Sequence, residues 1–167
     1  RDLETAQMAV QAALTGHLVL STLHTNDAPA AITRLLDLGV PDYLIRATLL
    51  GVLAQRLART LCPHCARKEA ADAEAWKSLL KPWNAAAPAH FGAPVGCLEC
   101  RMTGYLGRTG IYEMLTVTPA LRQSIGKDSD GTQVREQAIR DGMRPLRLRG
   151  ALKGAAGVPT LGAVLRL

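Results

Sequence analysis

The spacing of apolar and polar positions changes several times along the chain, and each change predicts an element. In residues 4–14, Met8, Val10, Ala12 and Leu14 are mixed with polar Gln7 and Gln11. Asp2 stands ahead as a cap and Gly16 just past the end, which predicts a helix. Residues 17–23, His-Leu-Val-Leu-Ser-Thr-Leu, are short, partly β-branched and almost continuously apolar. That pattern predicts a strand buried on both faces, as in a parallel sheet flanked by helices. The polar turn His24-Thr-Asn-Asp27 follows, then a helix from about Ala28 with a stripe of Ile32, Leu35, Leu36 and Leu38, ended by Gly39. Pro41 suits the first turn of another helix, in which Leu44, Ile45, Leu49, Val52, Leu53 and Leu57 carry a helical period to about Leu61. The first 60 residues therefore read as helix, strand, helix, helix.

Beyond Leu61 the character shifts. Trp76, Leu79, Leu80 and Trp83 predict a short helix, followed by an Ala- and Pro-rich stretch over residues 84–94. Gly104, Gly107 and Gly110 punctuate a tight loop before residues 111–115, Ile-Tyr-Glu-Met-Leu, a strand pattern. Helical patterns cover residues 119–125, 132–140 and 146–152, with a coda at 160–167. Three regions result: an α/β core over residues 1–61, a subdomain over 62–100, and a return strand with C-terminal helices over 101–167.

Composition supports a predominantly helical α/β fold. The 167 residues include 26 alanines and 26 leucines against 4% aromatics, which favours helices packed through aliphatic side chains over a β-sandwich or barrel. With 48% hydrophobic and 20% charged residues, the balance is that of a packed globular chain. The longest uncharged stretch, residues 5–26, carries too many polar side chains for a bilayer span. The first residue is Arg and no signal-peptide pattern follows, so the chain reads as an excised piece of a longer protein. The net charge of +6 arises wholly after residue 100, where 11 basic side chains face 5 acidic ones. Arg144, Arg147, Arg149, Lys153 and Arg166 form a basic tail that reads as a solvated face, or else as a binder of phosphates, anionic lipid or nucleic acid. Few aromatics lie nearby to stack on bases.

All four cysteines fall in two pairs, Cys62-Pro-His-Cys65 and Cys97-Leu-Glu-Cys100. Two-residue spacing lets both thiolates of a knuckle face one ion, and two knuckles complete a closed tetrahedral sulfur site for structural Zn2+. Two other readings exist. A redox Cys-x-x-Cys needs a helix N-terminus after a strand to lower the first thiol's pKa, whereas Cys62 here follows a predicted helix. A pair of disulfides needs an oxidising compartment and tight bridging geometry. His64 falls outside the ligand set, since four sulfurs saturate the ion.

His17 and His24 flank the predicted strand, one at its start and one beyond its end. Ligands of open α/β sheets sit at the carboxyl ends of strands, where His24, Thr25, Asn26 and Asp27 stand. Such a histidine also serves commonly as a cap or a partner for a backbone carbonyl. The chain contains neither GxxxxGK followed by Ser or Thr nor GxGxxG, so nothing in it alone cradles a triphosphate.

Several stretches resemble a known family. These are Arg1-Asp2-Leu-Glu4-Thr5-Ala6, the run from Leu14 through His17 and His24 to Ala28, residues 54–65 ending in Cys62-Pro-His-Cys65, and Gly107-Arg-Thr-Gly-Ile-Tyr-Glu113. Together they resemble the secretion ATPases, and more narrowly the C-terminal part of the type II secretion system ATPases (general secretion pathway protein E), close relatives of the type IV pilus assembly ATPases. The resemblance implies a RecA-like P-loop ATPase that forms a homo-hexamer at the cytoplasmic face of the bacterial inner membrane. Such a motor hydrolyses ATP with Mg2+ to drive pseudopilus assembly and protein export, and it meets the membrane through inner-membrane platform proteins, with no specific nucleic acid.

By the same likeness, Arg1 and Asp2 match the end of the Walker B motif, and the histidine box spans His17 to His24. His24 is then the candidate γ-phosphate sensor, with His17 beside it in catalysis and Arg1, Asp2, His24 and Thr25 as nucleotide-binding candidates. The implied phosphate-binding loop, aspartate-rich box and Walker B glutamate lie outside these residues, so the fragment alone is expected to be inactive. Retraction ATPases of the pilus lack the four cysteines, which points to an assembly or secretion motor. Two readings of other classes remain: a stand-alone zinc-stabilised module that docks a membrane protein, and a basic nucleic-acid-binding zinc protein.

Overall fold

The computed structural model describes residues 2–81, 83–84, 86–126 and 129–164. The chain is α/β: among the described residues, eight helices accompany two small two-stranded sheets. It divides into two compact units, residues 1–54 with 113–144, and residues 55–112 with 145–167.

In the first unit, helix α1 (Leu3–Leu14) begins where Asp2 Oδ1 accepts the Thr5 N–H at 2.9 Å. It ends at Gly16, φ +91°, where the N–H groups of Gly16 and His17 return to the carbonyls of Ala13 and Ala12. Helix α2 (Ala28–Asp37) is capped by Asp27, whose Oδ1 accepts the Ala30 N–H at 2.9 Å, and it closes the same way at Gly39. Helix α3 (Asp42–Thr48) follows Pro41. Later in the chain come α5 (Pro119–Ser124), capped by Thr118, and α6 (Gly131–Arg140), capped by Asp130. Their apolar faces converge with a strand on one core that includes Ile32, Ile45, Leu115, Leu121, Ile125 and Val134.

The second unit contains an antiparallel pair, β2 (Arg67–Ala70) and β3 (His90–Ala93), in the register Arg67 to Ala93 and Ala70 to His90. Helices α4 (Ala73–Leu80) and α7 (Leu146–Ala155) supply a separate core in which Trp76, Leu79, Leu80, Phe91, Leu148 and Ala151 are buried together. The Trp76 and Phe91 ring centroids are 5.5 Å apart. Helix α8 (Leu161–Val164) is short. The second sheet pairs β1 (Gly51–Leu61) with β4 (Tyr105–Thr116).

Three sequence expectations change. Residues 17–23 form no strand: they lie in neither helix nor sheet, and Leu18 and Leu20 are 76% and 88% exposed. A strand buried on both faces needs neighbours that hydrogen-bond to it, and none of the described strands pairs with this segment. The helix after Pro41 stops at Thr48, and residues 51–61 are strand β1 instead. Gly51 marks the change, because a Cβ there would lie 2.9 Å from the Leu115 carbonyl oxygen. The glycine-punctuated loop ends at Gly104, and β4 already begins at Tyr105. The helices around Trp76 and after Pro119, Asp130 and Pro145 stand where the pattern places them. Of the C-terminal coda, residues 165–167 lie outside the described residues.

Candidate functional site

The four cysteines occupy two tight turns in the second unit. The first turn follows β1, with the Ala66 N–H returning to the Cys62 carbonyl at 3.0 Å. The second precedes β4, with the Met102 N–H returning to the Cys97 carbonyl at 2.8 Å. Arg101 and Met102 adopt φ of +52° and +61°, an uncommon conformation for side-chain-bearing residues that turns the chain out of the knuckle. Gly96, φ +120°, lets the chain entering the second knuckle pass close to the chain leaving it, since a Cβ there would lie 2.8 Å from the Met102 carbonyl oxygen.

The sulfur geometry fits one metal ion. Cys62 Sγ lies 3.8 Å from Cys97 Sγ, Cys65 Sγ lies 3.8 Å from Cys100 Sγ, and Cys97 Sγ lies 3.7 Å from Cys100 Sγ. All four fall within 4.8 Å of one another. A regular tetrahedron with Zn–S bonds of ~2.3 Å has edges of about 3.8 Å. The same spacings are far beyond a disulfide's S–S length of about 2.05 Å, and the four cysteines are free thiols.

Backbone amides point at the sulfurs. Gly96 N–H donates to Cys65 Sγ at 3.3 Å, and Cys97 and Gly104 N–H both donate to Cys100 Sγ at 3.2 Å. Burial pushes the Cys100 thiol up, but these two amides together with the neighbouring thiols of Cys97 and Cys65 hold the group down at about 6. At Cys65, burial pushes the thiol up to about 11, against the pull of the Gly96 amide and with the help of the neighbouring thiols. A cluster with one thiolate already formed near neutral pH is a ready metal ligand set.

The histidine segment belongs to the first unit. His17 lies exposed just beyond α1, where its Nδ1 is 2.9 Å from Thr15 Oγ1. The Thr15 hydroxyl also reaches the Ala12 carbonyl at 2.8 Å, so it joins the ring to the last turn of the helix. His24 is exposed as well, at the start of the turn into α2. Thr25 Oγ1 donates to the Asp27 carbonyl at 3.0 Å and lines a cleft of about 470 Å³ with Asn26, Asp27, Arg34, Thr132 and Arg135. Asp2 serves as the cap of α1, and the Thr5 amide that it accepts lowers its pKa. Arg1 lies outside the described residues.

Two residues that the sequence reading did not single out as functional hold this turn. Glu113, 1% exposed, accepts the Ala28 N–H on Oε1 at 2.5 Å, and Arg135 pairs with Asp27 Oδ2. The signal for Glu113 was present: it is the one acid on the alternating buried face of β4, between Ile111 and Leu115. Arg135 carried no signal, because its partner is 108 residues away.

Comparison with known proteins places these features. The family described as "Type II/IV secretion system protein" matches residues 1–166. The type IV pilus assembly ATPase TfpB of Acinetobacter baylyi is 52% identical over the whole chain, which covers 28% of that relative. The type II secretion system ATPase E of Vibrio cholerae is 48% identical over the whole chain, 33% of the relative, and the type II secretion system protein HxcR of Pseudomonas aeruginosa is 46% identical, with 32% covered. The chain thus spans about a third or less of the length of these relatives. With its whole length matched in this way, the chain belongs to the type II/IV secretion system protein family.

Proposed function

We propose that the chain is the C-terminal portion of a hexameric motor ATPase that powers type II protein secretion through pseudopilus assembly at the cytoplasmic face of the inner membrane. The likeness of all 167 residues to secretion and pilus ATPases supports this reading. No helix among the described residues is long and apolar enough to cross a membrane. In this reading the motor meets the membrane through inner-membrane platform proteins.

The first unit then supplies one wall of the nucleotide site of a RecA-like domain. His24 is exposed at the N-terminal end of α2, and in this reading it would contact the γ-phosphate of ATP. A neutral imidazole donates one hydrogen bond to a phosphate oxygen, and a protonated one adds charge stabilisation as the bonds to phosphorus loosen. Thr25 on the same turn is a further nucleotide-binding candidate, His17 stands beside His24 in catalysis, and Arg1 with Asp2 closes the Walker B motif. Cys62, Cys65, Cys97 and Cys100 hold Zn2+, which supplies a structural cross-link between the two arms and no chemistry in hydrolysis.

A second reading, type IV pilus assembly, is favoured by the 52% identity to the pilus ATPase of A. baylyi. Complementation separates the two: the full-length protein restores exoprotein secretion to a strain without its type II ATPase on the first reading, and surface pili to a pilus-assembly mutant on the second. For the motor itself, His24→Ala in the full-length protein lowers kcat for ATP by about tenfold or more with a smaller change in KM. A wild-type rate returns His24 to a structural turn residue. The 167-residue chain alone shows no turnover above background, and measurable hydrolysis by it contradicts the assigned division of labour.

A further inference from the structure

Helix α2 starts immediately after the histidine-bearing turn, and its N-terminus is held from two directions. A helix leaves its first backbone N–H groups without intrahelical partners. In α2 the Ala28 N–H goes to Glu113 Oε1, Pro29 has none, and the Ala30 N–H goes to Asp27 Oδ1. The other Asp27 oxygen takes the guanidinium of Arg135 on α6, and the Asp27 carbonyl takes the Thr25 hydroxyl. Glu113 is an acid buried on the inward face of β4, and burial of a carboxylate is costly unless charge-assisted hydrogen bonds and a favourable dipole offset it. The positive end of α2 supplies both.

We propose that Glu113 and Arg135 are positioning residues that fix the turn over residues 24–27, and so the direction of His24, for phosphate contact. Glu113 sets where α2 begins and Arg135 sets how Asp27 caps it; neither touches the nucleotide. Because the donors of Ala28 and Ala30 are already consumed, α2 offers a ligand side chains of the turn and not these two amides. This rests on the reading of His24 as the phosphate-facing group.

The test is steady-state ATP hydrolysis by the full-length protein carrying Glu113→Gln, Glu113→Asp, Arg135→Ala or His24→Ala, and by each of the first three combined with His24→Ala. Glu113→Gln keeps an acceptor in place and stays within about threefold of wild type. Glu113→Asp withdraws the carboxylate by one methylene and lowers kcat by about tenfold with KM within about twofold; Arg135→Ala, at a partly exposed position that tolerates truncation, lowers kcat by about threefold. In the His24→Ala background both losses shrink to less than about twofold.

Equal losses with and without His24, or wild-type rates for Glu113→Asp and Arg135→Ala while His24→Ala is slow, overturn the positioning role and leave the phosphate reading intact. A wild-type rate for His24→Ala removes the phosphate reading itself, and with it this role. If Glu113→Asp fails to fold, the Arg135→Ala pair decides.

Discussion

The backbone N–H of Cys62 donates to the carbonyl of Gly104 at 3.0 Å, so the first cysteine turn is hydrogen-bonded to the residue that follows the second. The N–H of the same glycine points at Cys100 Sγ at 3.2 Å. Gly104 has φ +75°, and a Cβ on it would lie 2.5 Å from Pro94 Cβ. Gly104→Ala therefore destabilises the metal-loaded chain by about 1–3 kcal/mol through backbone strain and the lost approach, and it weakens metal affinity in parallel. Denaturant unfolding with a competitive metal titration measures both. Unchanged values for both mean that the turn tolerates the side chain and contradict the strain assigned to Gly104.

Acidity of the thiols makes the metal-free chain sensitive to pH. Cys100 is held down from 9.0 to about 6, so its contribution to stability is complete above pH 9 and is lost as pH falls through 6. Cys65 is pushed up from 9.0 to about 11, so its contribution is complete below pH 9 and is lost as pH rises through 11. Urea unfolding in the presence of a chelator is expected to show greatest stability near pH 9 from these two groups. A profile that is flat from pH 6 to 9 contradicts the stabilisation of the Cys100 thiolate by these amides and the neighbouring thiols.

Packing in the second unit depends on one large side chain. Trp76, 2% exposed, lies against Phe91 in the core with Leu79, Leu80 and Leu148. Trp76→Ala costs about 3–5 kcal/mol. Leu98, 89% exposed at the tip of the second cysteine turn, changes stability by less than about 0.5 kcal/mol when cut to Ala. Unfolding monitored by circular dichroism compares the two, and equal effects mean that this core does not hold the unit together.

The caps at Asp2 and Asp27 and the two cysteine knuckles were legible in the sequence because each is local: Asp2 and Asp27 each accept an amide three residues on, and each Cys-x-x-Cys closes its own turn. The strands were harder. In β1 the exposed positions are Leu53, Gln55, Leu57 and Arg59, whereas the more buried ones include Val52, Ala54, Arg56 and Ala58. Leucine on the open face and alanine and arginine on the closed face hide the period of two, and good helix formers there gave a spurious helical reading. Residues 17–23 have strand composition without a strand partner among the described residues, and composition does not report pairing. Glu113 and Arg135 meet the turn before α2 only through contacts spanning 85 and 108 residues, which no local pattern encodes.

Metal content decides whether the cysteine cluster is a structural site. The chain is purified without added metal and assayed by elemental mass spectrometry, with thiol titration before and after chelation. A tetrahedral site formed by Cys62, Cys65, Cys97 and Cys100 gives one zinc per chain, with the four thiols slow to react until the metal is removed and limited proteolysis then opening residues 62–100. Chains that carry no metal, react at all four thiols at once and resist proteolysis regardless of chelator contradict it.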